Sequence, residues 1–432
     1  MKRIIQYVLF LSPVATAAQP PLTLHDAVAT ALKNNMGIQI ASNNINIADI
    51  NNSYGVAGGL PIVTATGSDV EQVSSLKQEY ANAANNKTSN NAASNNLSAG
   101  VTASVLVYNG GRVNTAKQRL GITALQSRQQ LSSRALLLVY NVMLRYYDVV
   151  RQQNYAKTLQ QSIEVSKQKL TVVQTQQNVG MANNADLFQA QVDLNTQIQN
   201  LQAQQLVIDQ DKTDLLTLLT LNPDSSIIVS DTILVDKSIT LPSVIDAVRN
   251  NPDIVSAGEQ VTINQFIAKE TAALRYPSLS VNGGYNFSHT KNAAGFSLLN
   301  QSYGPFAGVG VSIPLFNGNI YKKQQEVAEI NIKNAGLVKD TLLQNYTANA
   351  VKSWQAYNNN LQQLETAKAN YELSQKLLNL ALQRFQLRQA TIVDIKNAQQ
   401  SFENAGYLLI NTSFAAKVAE LQLRRYANQM VY

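Results

Sequence analysis

Leu97-Ser98-Ala99-Gly100-Val101-Thr102-Ala103-Ser104-Val105-Leu106-Val107-Tyr108-Asn109-Gly110 is the stretch on which the fold turns. Leu97, Ala99, Val101, Ala103, Val105 and Val107 share one face, opposite Ser98, Gly100, Thr102 and Ser104. A period of two predicts a strand with one apolar face and one face of small or polar residues. Asn109-Gly110-Gly111, residue types that tolerate positive φ, predict the handover from this strand to a helix.

The stretch has a second copy. Ala99-Gly100-Val101 recurs as Ala307-Gly308-Val309, Asn109-Gly110 as Asn317-Gly318, Asp186 as Asp394 and Leu201 as Leu409, each 208 positions on. Upstream, Asn34-Asn35 matches Asn250-Asn251 and Pro61 matches Pro277 at a spacing of 216. The chain is two copies of one unit, the first carrying eight extra residues between Pro61 and Ala99. Asn82–Asn96, an Asn/Ala/Ser tract with no apolar pattern, is where the excess is expected, as an exposed loop tip. The second copy alternates too, with Leu279, Val281, Tyr285 and Phe287, then Ala307, Val309, Val311, Ile313 and Leu315. Each copy is therefore expected to contribute one hairpin, at 61–107 and 278–315. The expected division is a leader at 1–18, a first repeat at 19–223 and a second at 224–432.

Between and after the hairpins the period changes. No proline occurs from 62 to 222 or from 315 to 432. Leu159, Ile163, Ser166, Leu170 and Val173 advance by fours and threes, as do Ala367, Tyr371, Ser374, Leu378 and Ala381. That spacing predicts coiled-coil helices, and one of about 60 residues would reach roughly 90 Å. Breaks at Asn178–Asn184 and Leu387–Thr391 predict turns joining antiparallel pairs.

Lys2-Arg3, the apolar Ile4–Leu11 and Ala15-Thr16-Ala17-Ala18 have the form of an export signal. No later stretch reaches the roughly 18 apolar residues of a membrane-spanning helix, so association with a membrane would be as a closed β-barrel or by peripheral contact. Four strands cannot close one, but three chains would supply twelve, enough for an open lumen. Without cysteine, an exported chain stabilises itself by packing or assembly.

Other classes find little support. The net charge of +7 is spread thinly, with charged residues at 14%, which argues against a nucleic-acid partner. His25 and His289 are the only histidines, and no metal cluster, nucleophile–base pair or phosphate-cradling loop can be assembled. The expectation is a protein that is not an enzyme and has no cofactor and no metal.

The order of hairpin and long helical pair, given twice, resembles the TolC-like outer-membrane efflux factors. The resemblance is carried by Leu22-Thr23-Leu24 with the amphipathic start to Asn35, by Leu60-Pro61 and Tyr276-Pro277, and by Pro314-Leu315-Phe316-Asn317-Gly318. Asn178-Val179-Gly180-Met181 with Asp186, and Phe385 through Asp394 to Ala398, complete it. It implies an α+β fold: an outer-membrane β-barrel of four strands per protomer, closed in a homotrimer, continued by a periplasmic helical tunnel. It also implies a periplasmic adaptor, an inner-membrane pump and outer-membrane lipid as partners, in efflux or type I secretion.

The resemblance further places a ring of carboxylates at the tunnel's narrowest point. Asp394 matches the first such position, Asn397 stands where a second acid often lies, and Asp186 is its counterpart in the first repeat. Phe385 and Ala390 occupy positions where the family can carry a tyrosine and an arginine, with Arg388 and Lys396 nearby. Val179-Gly180-Met181 resembles the tip that meets an adaptor, and Leu387-Arg388-Gln389-Ala390 is its counterpart without the glycine. A first-turn acid is also the ordinary complement of a helix dipole, which is the plain structural reading of both aspartates. The rival at the level of the whole chain is a periplasmic coiled-coil structural or adaptor protein.

Overall fold

The computed structural model describes residues 21–295 and 297–430, so the expected leader lies outside the described residues. The chain divides into two compact units. One comprises the chain up to Ile40 with Ser132–Asn251 and Gln344 onward, the other Ala41–Leu131 and Pro252–Leu343. In chain order the elements are α1 (Leu24–Asn34), α2 (Met36–Asn51), β1 (Ile62–Gln78), β2 (Lys87–Tyr108), α3 (Arg112–Asn178), α4 (Asn184–Leu218) and α5 (Leu241–Val248). There follow α6 (Pro252–Ala273), β3 (Ser278–Asn292), β4 (Leu299–Ser312), α7 (Ile320–Gln386) and α8 (Ile392–Tyr426).

The sequence repeat is a repeat of elements. α3 and α7 have 67 residues each, α4 and α8 have 35, and every boundary of the first pair recurs 208 residues on in the second. Helices this long persist because no proline removes an N–H or clashes with the preceding turn. No helix among the described residues is long and apolar enough to cross a membrane.

The first unit has two cores. In one, Ala27, Val28 and Ala31 of α1 pack with Val142, Met143 and Tyr146 of α3, Leu215 of α4 and Leu421 of α8. Thr23 starts α1 as its N-cap, and Tyr146 donates its hydroxyl to the Leu22 carbonyl at 3.0 Å. The second core lies where each helical pair turns: Val173, Ala190, Leu378, Leu382, Phe385, Ile395 and Phe402. The irregular chain between α4 and α5 is tied to α8 by charge. Lys417 Nζ donates to the Leu234 carbonyl at 2.9 Å, Arg424 pairs with Asp236 at 2.6 Å, and the Asp236 N–H donates to the Glu420 carboxylate at 3.0 Å.

The second unit holds one antiparallel sheet in the order β1-β2-β3-β4. Each hairpin pairs within itself, and β2 pairs with β3 to join them. Two sequence expectations are corrected here. Asn82–Asn96 is not a loop along its length: β2 begins at Lys87, and Asn96 back to Lys87 pairs with Val70 to Gln78 of β1. The tract escaped notice because alternation reports one-sided burial, not extension, and there both faces are polar. Ahead of the matched Ala99 and Ala307, the first hairpin has 29 strand residues and the second 23, so six of the eight extra residues lengthen the strands and two the turn. The second hairpin stops at Ser312 instead of continuing through Leu315. Pro314 explains the stop, having no N–H for a ladder.

Candidate functional site

Register decides what the sheet presents. Ala65, Val101, Tyr285 and Pro305 stand side by side across the four strands, as do Val63, Ala103, Gly283 and Ala307. Thr66, Gly100, Asn286 and Gly304 form an intervening row, and Thr64, Thr102, Gly284 and Phe306 another. Directly paired residues point to the same side and alternate rows to opposite sides. The strand alternations therefore fall in phase. One face collects Val101, Val281, Tyr285, Tyr303, Val309 and Val311, all exposed. The other is mostly Ser, Thr, Asn and Gly, with Phe306 and Leu106 among them, and on β3 and β4 none of its residues is charged. The stretch whose apolar side runs from Leu279 to Phe287 is nine residues long, about the length a tilted strand needs to cross a hydrocarbon core.

One row is unusually close. A Cβ at Gly284 would stand 2.1 Å from the Val101 carbonyl and 2.9 Å from the Phe306 ring. Phe306 covers the bare glycine on the polar face, the packing by which an aromatic protects a strand glycine.

The other candidate region is where the helical pairs turn. Gly180 ends α3 with φ 76°, and its repeat partner Arg388 ends α7 with φ 63°. The closing bonds match. Met181 N donates to the Gln176 carbonyl at 2.8 Å, and Gln389 N to the Arg384 carbonyl at 2.7 Å. This left-handed helix ending suits glycine and strains a residue with a Cβ, so Arg388 holds a position that its repeat partner fills more easily. Val179 and Met181 are exposed, as are Arg388 and Gln389, while Ala390 is half-buried.

Behind the turns the two aspartates differ. Asp186 lies in the first turn of α4, its N–H bonded to the Asn183 side chain at 2.8 Å. Asp394 completes a capping box: its carboxylate accepts from Thr391 N at 2.7 Å and Thr391 Oγ1 at 2.8 Å, and its own N–H donates to Thr391 Oγ1 at 3.2 Å. The Thr391 backbone N–H, then its hydroxyl, hold the Asp394 carboxyl below the ordinary carboxylate range, and the Arg384 charge adds to this. Asp394, Asn397 and Ala390 line one groove of about 350 Å³ with Leu377, Leu380 and Arg384. Phe385 is elsewhere, 6% exposed within the core beneath. Asp186 and Arg388 do not line that groove.

Sequence reasoning missed Arg384, and it missed the polar groups that join the helices. Lys169 is fully buried and pairs with Asp193 at 2.7 Å, with Lys396 3.4 Å away. Burial pushes the Asp193 carboxyl up, but hydrogen bonds from Lys169 and Gln189 and the two lysine charges outweigh it and lower it. Gln399 of α8 donates to Ser162 Oγ at 2.8 Å and Ser166 Oγ at 3.0 Å, and Ser162 donates to Glu403. Ser166 at a seam position of the helical period was the available signal.

The sequence profile of the family described as "Outer membrane efflux protein" matches residues 27–220 and 244–429. The chain belongs to this family. Outer membrane protein TolC of Vibrio cholerae serotype O1 is 25% identical over 348 residues, 76% of this chain and 76% of that protein. The solved structure of CusC shares the fold with a TM-score of 0.75 and 18% identity, over 94% of this chain and 91% of that one. That of the outer membrane protein VceC of Vibrio cholerae gives 0.74 and 15%, over 94% and 95%. The chain is an outer-membrane exit duct for efflux or secretion and not an enzyme, with its helical part in the periplasm. The phased sheet is what such a duct needs and a soluble adaptor would not. Channels of this family are homotrimeric outer-membrane components of tripartite efflux systems.

Proposed function

We propose that three copies of this chain form a passive conduit that takes substrate from an inner-membrane pump through a periplasmic adaptor and releases it outside the cell. The observation that carries the reading is the sheet's two phased faces together with its two edges, β1 and β4, which have no further strand beside them among the described residues. An open edge is intolerable in lipid, and a neighbouring copy is the partner at hand. Energy comes from the pump, so the conduit itself needs only a wall and a gate.

The gate is placed at the Asp394 groove. Three copies put three carboxylates around one axis, which concentrates cations and disfavours anions. Asn397 weakens the ring relative to two acids, and Arg384 beside it moderates the field. Asp186, Phe385 and Arg388 act as supports: Phe385 packs the core that fixes the α7–α8 turn, and Arg388 brings positive charge to its end. Val179, Gly180, Met181, Arg388, Gln389 and Ala390 are the adaptor-docking tips. The strain accepted at Arg388, where a glycine would fit, favours a role for its side chain. In this scheme residues 1–18 direct export, and 19–223 and 224–432 are the two repeats of the mature protein.

Single-channel recording of the purified protein in a planar bilayer tests the conduit. Discrete conductance with cation preference is expected, and Asp394→Ala should lower that preference while leaving assembly intact. Unchanged ion preference in Asp394→Ala would reduce Asp394 to a helix cap and move the gate elsewhere.

A further inference from the structure

Where the sheet meets the helices of its unit, a cavity of about 220 Å³ is lined by Leu106, Asn109, Arg112, Tyr276, Ser278 and Ser312 among others. Leu106, Ser278 and Ser312 belong to the uncharged polar face of the sheet. Asn109 is 8% exposed. Its Oδ1 accepts from the Val113 N–H at 3.3 Å, which leaves Nδ2 as the free end, buried and without any acceptor. A buried donor with no partner is costly and calls for an explanation. The repeat does the same again: Asn317, 208 residues on, also has a buried Nδ2 with no acceptor.

The surroundings point to the missing acceptor. α3 begins at Arg112, with no acid in its first turn, although negative charge is what that end of a helix favours. No acidic side chain lines the cavity, and among the described residues the Arg112 guanidinium has no ion-pair partner. By contrast α1, α4, α6 and α8 all carry an aspartate in their first turn. Around the cavity stand an orphaned amide donor, the exposed Arg112 side chain, two serines and the positive end of a 67-residue helix.

We propose that this cavity binds a phosphate-type oxyanion, held by Asn109 Nδ2 and the Arg112 guanidinium at the α3 N-terminus. Arg112 would supply charge and a planar pair of donors, and Asn109 the buried contact that fixes position. The oxyanion could arrive as a soluble phosphate or as a phospholipid headgroup, and the two sources separate by experiment.

The full-length protein in detergent is titrated with inorganic phosphate by calorimetry, and its retained phospholipid is counted by mass spectrometry. Saturable phosphate binding, weakened about tenfold or more in Arg112→Gln, is expected if the ligand is soluble, a loss in keeping with one charge-assisted hydrogen bond. Retained phospholipid that falls in Arg112→Gln would identify the headgroup. Asn109→Asp keeps an acceptor for the Val113 N–H but sets a carboxylate in the cavity. It should leave thermal stability intact and abolish both signals, an outcome that a purely structural Asn109 would not give. If the wild-type protein shows neither saturable phosphate binding nor retained phospholipid, or if Arg112→Gln and Asn109→Asp leave both unchanged, the proposal is overturned. Binding is read without conductance, so its failure leaves the conduit untouched.

Discussion

Gly284 and Gly304 are both strand glycines, and only one has a neighbour that forbids a side chain. A Cβ at Gly284 meets the Val101 carbonyl at 2.1 Å, whereas nothing lies within 4 Å of one at Gly304. Gly284→Ala must therefore part β2 from β3, and overpacking of this kind costs about 1–3 kcal/mol. Heat-modified mobility on a gel should show earlier unfolding for Gly284→Ala and no change for Gly304→Ala; equal behaviour would mean the strands yield freely. Asp394 gives a prediction in pH. Its folded-state carboxyl lies below the ordinary range, held first by the Thr391 N–H. Such a group contributes stability above its unfolded pKa and loses it as pH falls through the folded value. An acid limb in thermal stability, running from the usual carboxylate range down through the lower folded value, should be smaller in Asp394→Asn than in wild type. A limb of the same size in both would assign it to other acids.

The elements divide by how their residues speak in sequence. The long helices were legible to the residue, because a constant spacing of 208 fixes α7 and α8 once α3 and α4 are seen. The lipid-length part of each strand was legible because one face is apolar. The outer half of the first hairpin was not, since residues 87–96 carry no apolar alternation of their own while still pairing with β1. The site was legible only as positions. Asp394 as a first-turn acid after a break was legible, but nothing in the order of residues tells that Phe385 is core or that a fully buried Lys169 finds Asp193 on the next helix. An epitope between Ala83 and Ala84, in the turn that links β1 to β2, should be tolerated and reached by antibody on intact cells. One at Asn95, which pairs with Glu71 and Lys291, should abolish assembly. Accessibility at Ala83 only after the outer membrane is breached would invert the topology.

At the scale of the whole molecule, a single chain leaves too much unfinished. β1 and β4 carry ladder groups without partners on their outer edges among the described residues, and a four-stranded open sheet in hydrocarbon would leave them unpaired at several kcal/mol each. The helices leave apolar side chains uncovered as well. Val327, Ile330, Leu337 and Val338 of α7 and Tyr407 and Leu408 of α8 are all more than half exposed in one copy. Both deficits would be met at once by identical neighbours, were each β4 to meet the next copy's β1 until the ring closed. Two consequences follow for one measurement. Native mass spectrometry in detergent should give three copies and no stable monomer. On heating, the infrared signal of strands should vanish in the same transition as the trimer mass, because the edges have no other partner to keep them ordered. A monomer that retains its full strand signal, in or out of detergent, would show that the sheet is complete by itself and would sink the trimeric barrel.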